Sequence, residues 1–503
     1  MDFQLPEYNL QLMLPEIVLF VWALVVLSFD LATKRKSGSA VGYLAMAGVL
    51  ITGIVLAFTG HGQGFGQMFV ADSMAVFFKM IFLCAAFMAI GSSFGITKDK
   101  IVNHRGEFLG LMLFSTVGMM FLASSNELLS LYVGLELTTI PLFALAAFFK
   151  DDKLSVEAGI KYLVVGAFSS ALLLYGISFL YGLSGSTDLL LMRLNLAASA
   201  LMDYPKVAMV FVLATITILA GLGFKLALPP FHQWAPDVYQ GAPTPVTAFL
   251  SVASKAAGLV AFAKIMVIGL FAYYDPFVAP IDWGMLVGIM AGSAMIVGNV
   301  LAVRQTNMKR MLAYSSIAHA GYIMVGMLAM NELGLASVGF YMFAYMFANM
   351  GIFAVVALIE ERTGSAEIPD YGGFSKSSPF LAVSMTIMLL SLTGIPPLAG
   401  FFGKFYVFAA AIRQAGSDPV HQWMYWLVGV GLLTSVVALY YYANVIRTMY
   451  FGAQTDVPRI EFTAPALTVI LIGVIGTVVF GLMPNVVVEF ASQIPISDMI
   501  ILP

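Results

Sequence analysis

Fourteen long apolar stretches, separated by short polar connections, set the solvent in which this chain can fold. A helix crossing a hydrocarbon core of about 30 Å needs about 20 predominantly apolar residues. The stretches lie at 14–33, 39–60, 70–96, 106–125, 127–149, 157–182, 207–240, 244–273, 281–303, 309–330, 333–360, 379–413, 424–451 and 463–484, and are numbered here as spans 1 to 14. Inside lipid every backbone N–H and C=O must find an internal partner, so the spans are expected to be helices. Composition agrees, with 10% charged residues against about 25% in soluble domains. The reading is an all-α polytopic membrane protein with the lipid bilayer as its surroundings. The longest connections, 183–206 and 361–378, leave no room for a second core. No basic segment or cleavage site precedes Leu14, so span 1 is expected to stay as an anchor.

Several chemistries are excluded by what the chain lacks. Cys84 is its one cysteine, whereas iron–sulfur clusters, structural zinc and disulfide frameworks each need several sulfurs. No phosphate-binding loop of the Walker type occurs, and Gly62, Gly64 and Gly66 follow no strand-and-helix pattern that would cradle a dinucleotide. The only basic run is Lys34, Arg35 and Lys36, too short for a nucleic-acid surface. Neither a metal nor a cofactor site is expected in this polypeptide.

The basic residues give an orientation. With the N-terminus outside, fifteen of the 24 Lys and Arg fall on inner loops and three, Arg193, Lys206 and Arg413, on outer loops. That asymmetry is what the positive-inside rule expects, and it places both termini outside. The remaining six lie within spans, and all are lysines: Lys79, Lys161, Lys225, Lys255, Lys264 and Lys404. Arginine keeps its proton under nearly all conditions, whereas a buried lysine can release one.

Spans 7 and 12 are each too long for one straight crossing, at about 50 Å for 1.5 Å per residue. Each contains a proline pair, Pro229-Pro230 and Pro396-Pro397, and proline ends or kinks a helix. The two breaks are five spans apart, and an odd number of crossings turns a second copy upside down. Glu136 on span 5 and His319 on span 10 keep the same spacing. The expected architecture is therefore about fourteen transmembrane helices with two inverted five-helix repeats, each containing a broken helix. Such repeats mark transporters whose site lies where the broken helices meet. The divisions are residues 1–105 (spans 1–3), 106–273 (spans 4–8), 281–451 (spans 9–13) and 452–503 (span 14).

Ionisable side chains at membrane depth are costly and need a partner, a proton or water. Glu136 lies nine residues into span 5 and Lys255 eleven residues into span 8. Lys225 and Lys404 sit beside the proline pairs, His232 lies within the span 7 break, and His319 is ten residues into span 10. Lys161 is four residues into span 6, where reaching the interface is an alternative to function. Lys79 and Lys264, about nine residues from a membrane face, read as packing groups. A carboxylate, lysines and histidines strung along broken helices can capture and release protons, yet the chain has no fuel site of its own.

Three long motifs resemble one family. Gly223-Phe-Lys-Leu-Ala-Leu-Pro-Pro-Phe-His-Gln-Trp-Ala-Pro-Asp-Val-Tyr-Gln-Gly-Ala-Pro-Thr-Pro-Val246 is similar to the span 7 to 8 signature of the antiporter-like membrane subunits of respiratory complex I. Met308-Lys-Arg-Met-Leu-Ala-Tyr-Ser-Ser-Ile-Ala-His-Ala-Gly-Tyr322 and Gly394-Ile-Pro-Pro-Leu-Ala-Gly-Phe-Phe-Gly-Lys-Phe-Tyr406 resemble two more of its signatures. The length and the lysine at 404 resemble the subunit N branch, homologous to mitochondrial subunit 2. The resemblance implies that Glu136 pairs with Lys225, that Lys255 is a central relay, that Lys404 is the terminal lysine, and that Lys161, His232 and His319 hold connecting positions. It also implies partners: neighbouring antiporter-like and quinone-site-side membrane subunits, and a peripheral redox arm holding NAD, FMN, iron–sulfur clusters and quinone. The absence of a targeting segment favours a bacterial inner membrane over an organellar one, and the implied function is proton translocation driven by redox chemistry in partner subunits. A subunit of a multi-subunit cation/proton antiporter is the first alternative. A stand-alone transporter for an organic solute and a purely anchoring subunit are the others.

Overall fold

Polar side chains at the membrane faces start the helices. Asp72 accepts from the Ala75 N–H at 2.7 Å, Glu127 from Ser130 at 2.7 Å and Asn331 from Gly334 at 2.8 Å, beginning spans 3, 5 and 11. Each satisfies a donor that the first helical turn leaves free. The computed structural model describes residues 8–34, 38–95, 101, 103–198, 205–270, 280–453, 460, 462–486 and 489. Of the basic residues used for orientation, Arg35, Lys36, Lys98, Lys100 and Arg459 lie outside this set, as do both chain ends and the last residues of span 8.

Thirteen of the described helices are long and apolar enough to cross a membrane, and they coincide with spans 1–11, 13 and 14. The chain is an all-α polytopic membrane protein. Its described strands are a single hairpin, Gly62–Gly64 against Phe69–Ala71, between spans 2 and 3. Span 12 consists of two pieces, Pro379–Thr393 and Ala399–Ser417, and the first, of 15 residues, is too short to cross alone. In span 7 the helix Pro205–Leu226 is followed by turns and by the short helix Trp234–Gly241. Both proline pairs have cis bonds.

Side chains donate to backbone carbonyls at both interruptions. The Trp234 indole N–H donates to the Phe224 carbonyl at 3.1 Å, and the Lys404 amine donates to the Thr393 carbonyl at 2.8 Å. Non-helical backbone is thereby kept satisfied in the interior. Gly394, at φ +93°, allows the chain to leave the first piece of span 12 in a left-handed turn.

Spans 6 and 11 share a detailed local structure. Each has 32 residues and ends on a left-handed glycine, Gly185 or Gly364. After span 6, the Asp188 N–H donates to Ser186 Oγ at 3.2 Å and the Leu128 N–H to the Thr187 carbonyl at 2.8 Å. After span 11, the Glu367 N–H donates to Ser365 Oγ at 3.1 Å and the Met308 N–H to the Ala366 carbonyl at 2.8 Å.

Burial grades inward. The apolar window of span 8 is wholly buried and those of spans 10 and 11 are 94% buried, while spans 1, 6 and 13 each bury 33%. Small residues let the inner helices approach: a Cβ on Gly321 would meet the Ala291 carbonyl, and one on Gly298 the Tyr314 carbonyl, where spans 9 and 10 touch. Span 8 is unusual along its length, with π-helical turns at Leu250–Ser254 and Ala263–Gly269 on either side of Lys255–Phe262. Such wide turns concentrate at functional positions.

Candidate functional site

On span 5, the side chains of Glu136 and Thr139 point to different surroundings. Thr139 is fully buried and accepts a hydrogen bond from the Lys225 amine, while Glu136 is half-buried and accepts from the Ser170 hydroxyl of span 6. No ion pair within 4 Å joins Glu136 to Lys225 among the described residues. The direct pairing expected from the resemblance is thus replaced by a contact with the neighbouring hydroxyl. Lys225 occupies the last turn of Pro205–Leu226 because the proline pair stops the helix just beyond it.

Span 8 brings the next lysine close. A Cβ on Gly258, one turn after Lys255, would lie 3.2 Å from Lys225 Cβ, so the backbone of span 8 runs directly against the Lys225 stem. The Lys255 amine reaches across to span 10 and donates to the Ser316 carbonyl. The Ser316 hydroxyl meets Tyr239 Oη at 3.3 Å, and the Ser315 hydroxyl bonds Tyr442 Oη of span 13.

His319 follows one turn later. Its Nδ1 lies 2.8 Å from Tyr341 Oη and its Nε2 lies 3.3 Å from Tyr442 Oη. Beyond it, Lys404 sits at the break of span 12 with its amine 4.8 Å from the centre of the Tyr322 ring, a cation–π distance. The Tyr322 hydroxyl is held by Asn299 at 3.0 Å and Thr434 at 3.1 Å. Lys225, Lys255, His319 and Lys404 are each 4–6% exposed. They form one interior row from the span 7 break to the span 12 break, with Glu136 at its edge.

Two expected members lie elsewhere. Lys161 is 42% exposed at the end of span 6, where its amine contacts Glu157 at 2.6 Å and Asp237 at 2.5 Å. Asp237 also receives Arg310 at 2.6 Å, tying spans 6 and 10 to the helix after the span 7 break. His232 is half-buried in the turns of that break, and its Nδ1 has no hydrogen-bond partner among the described residues.

Sequence reasoning passed over the neutral partners, Thr139, Ser170, Ser315, Tyr341 and Tyr442. Their signal was available, since Thr139 falls one turn after Glu136 and Ser315 one turn before His319. It also passed over Glu16, which meets Lys79 at 2.6 Å in a pair with both side chains buried. Lys264 donates to the Ser125 carbonyl at 2.6 Å. Among the described residues no three His, Cys, Asp or Glu side chains are placed to hold a metal ion.

The fold and the row define a polytopic helical membrane protein with titratable side chains aligned between two interrupted helices. The family described as NADH:quinone oxidoreductase/Mrp antiporter, transmembrane, matches residues 125–438. The chain is 41% identical to NADH-quinone oxidoreductase subunit N of Heliobacterium modesticaldum over 96% of its length and 98% of that protein's. It is 40% identical to the subunit N of Rhodospirillum rubrum, with 95% of each covered. A chain of respiratory complex I from Thermus thermophilus superposes with TM-score 0.77 at 30% identity, covering 95% of this chain and 100% of that one. A chain of the Mrp complex from Dietzia shares the fold, with TM-score 0.76 at 18% identity over 96% of this chain and 97% of that one. The chain belongs to the subunit N family of NADH-quinone oxidoreductases, within the antiporter-like membrane subunits.

Proposed function

We propose that this chain is a proton-translocating membrane subunit of NADH-quinone oxidoreductase (complex I). The observation that carries this reading is the buried row Lys225, Lys255, His319 and Lys404, which joins the two interrupted helices through the protein interior. Groups of this kind at membrane depth mark ion pathways. A redox-driven change in a neighbouring membrane subunit acts first on half-buried Glu136. The altered charge shifts Lys225 between Thr139 and Glu136, and Lys225 in turn acts on Lys255, whose helix runs against the Lys225 stem at Gly258. The proton then passes by His319 to Lys404 and the outer face. Lys161 and His232 serve uptake at the inner side. NAD, FMN, iron–sulfur clusters and quinone belong to partner subunits of the peripheral arm and the quinone-site side.

The row is framed by two inverted five-helix repeats, residues 106–273 and 281–451, flanked by 1–105 and 452–503. Supporting this division are the matched glycine ends and hydrogen bonds that follow spans 6 and 11, five crossings apart. The chain sits in a bacterial inner membrane with both termini outside.

The test is to build Lys255→Met and Lys225→Met into the assembled complex in sealed vesicles and measure NADH:quinone activity with proton uptake. Both are expected to lose most pumping while flavin-dependent oxidation of NADH by an artificial acceptor persists. Wild-type pumping in normally assembled Lys255→Met complexes overturns the proposal. Sodium-dependent transport without quinone reduction would favour the antiporter alternative, which the family description also covers.

A further inference from the structure

We propose that a cleft between spans 4 and 5 binds a phospholipid of the phosphatidylethanolamine type, whose headgroup carries a phosphate and a primary ammonium. The cleft follows from how the two helices pack. Near their middles they touch: a Cβ on Gly118 would meet the Thr138 backbone, and Ser115 Oγ donates to the Thr138 carbonyl at 2.8 Å. Where span 4 begins and span 5 ends, the Phe148 ring turns onto Phe108, with centroids 5.0 Å apart, and the side chains of Ala144 and Ala147 are too small to fill the space beside it. A cavity of ≈ 390 Å³ remains, within the range of about 300–1,000 Å³ for small-molecule sites.

Its lining changes character with depth. Asn103, His104, Glu107, Lys150 and Asp151 form the mouth, whereas Leu111, Ala144, Ala147 and Phe148 form the floor. Leu111 follows His104 by seven residues, about 10 Å at 1.5 Å per residue. The headgroup layer of a bilayer is roughly 6 Å thick on each side of the hydrocarbon. The mouth therefore stands at headgroup level, and the floor at the level where acyl chains begin. A water-soluble ligand leaves the apolar floor unused, while a lipid uses mouth and floor together. In the orientation proposed above, this lipid belongs to the inner leaflet.

The charges at the mouth select the headgroup. Lys150 is the one permanent cation among the described lining residues, against the carboxylates Glu107 and Asp151, and His104 Nδ1 lies 3.1 Å from Glu107 Oε2. A lipid phosphate is answered by Lys150 and the Asn103 amide. A primary ammonium then brings the carboxylates a cation with three N–H donors. Phosphatidylglycerol brings a phosphate and no cation, and the quaternary ammonium of phosphatidylcholine has no N–H to donate. Span 5 also carries Glu136, eight residues before Ala144, so the lipid steadies the end of the helix on which that carboxylate stands.

The assembled complex in nanodiscs tests this with a phosphatidylethanolamine carrying a diazirine on one acyl chain, close to the glycerol. Illumination is expected to label peptides containing Leu111 or Ala144, as located by mass spectrometry. Unlabelled phosphatidylethanolamine should compete about tenfold better than phosphatidylcholine or phosphatidylglycerol with the same chains, about what one hydrogen bond to a charged group contributes. Glu107→Gln combined with Asp151→Asn should abolish that preference and keep the labelling, whereas Lys150→Met should weaken competition by all three lipids. Competition in the wild-type complex needs no variant, so it decides even where a variant does not assemble. Absence of labelling on both helices, as when a neighbouring subunit fills the cleft, overturns the proposal. Equal competition by phosphatidylglycerol overturns it as well, leaving only a general lipid contact.

Discussion

Lys225 gives its amine to Thr139, one turn beyond the carboxylate of Glu136 on the same helix. In this arrangement the amine is partnered by a neutral hydroxyl, and Glu136 is turned to Ser170. The two charges are near neighbours without contact, an arrangement that a small displacement can convert.

The hydroxyl at 139 should therefore matter more than a static ion pair would suggest. Hydrogen bonds to charged groups contribute about 1.5–3 kcal/mol. Thr139→Val is expected to slow coupled proton uptake by about tenfold, one such bond's worth. Glu136→Gln breaks no contact to Lys225 but removes the charge on which the coupling acts first, and should cost more. Measuring both in reconstituted complexes decides the order, and a smaller loss in Glu136→Gln would detach the carboxylate from the coupling.

Lys79 and Glu16 give a different expectation because they pair with each other and not with a member of the row. Removing one member of a buried pair costs about 3–5 kcal/mol, mostly from the charge left behind. Lys79→Met should lower the melting temperature and the yield of assembled complex, and adding Glu16→Gln should restore much of both. Pumping per assembled complex should stay near wild type, and a drop there would assign the pair to conduction.

A third expectation concerns the interruption in span 12. A Cβ on Gly481 of span 14 would meet the Pro397 carbonyl, so Gly481→Ala must displace the backbone that holds Lys404. Overpacking of this kind costs about 1–3 kcal/mol, and coupled activity should fall with it. Gly429→Ala on span 13, where nothing lies within 4 Å, should leave thermal stability and pumping unchanged. Parallel melting and pumping assays compare the two.

At the inner end, Asp237 serves two cations and Lys161 is one of them. Exposed pairs contribute little, typically about 0–1 kcal/mol, so Lys161→Met should reduce coupled turnover less than about twofold. Asp237→Asn leaves both Lys161 and Arg310 without their shared carboxylate and should be the more damaging change. Turnover at several salt concentrations checks this, since screening should shrink the difference between the variants.

The spans were legible because lipid permits one backbone solution for a run of apolar residues, and Lys255 was legible because nothing apolar explains an amine in the middle of one. Lys404 was conspicuous beside Pro396-Pro397 for the same reason. What surrounds these groups was hidden. Thr139, Ser315 and Tyr442 are ordinary residues of membrane helices, and only the rotation of each helix about its axis selects them as partners. Glu16 escaped notice because it stands near the start of span 1, where a carboxylate is unremarkable until span 3 brings Lys79 against it. Lys161 was ambiguous in the sequence, and its exposure follows from a position one turn inside span 6.

Half-buried Glu136 stands among lipid-facing neighbours, Val133, Leu137 and Ile140, whereas Lys404 at the other extreme is enclosed. The polar row is thus asymmetric, with one terminus reachable from the flank of the protein and the other sealed. A neighbour lying along spans 5 and 6 could address the whole row by moving a single charge beside one carboxylate, as a signal is applied to a line through its exposed contact.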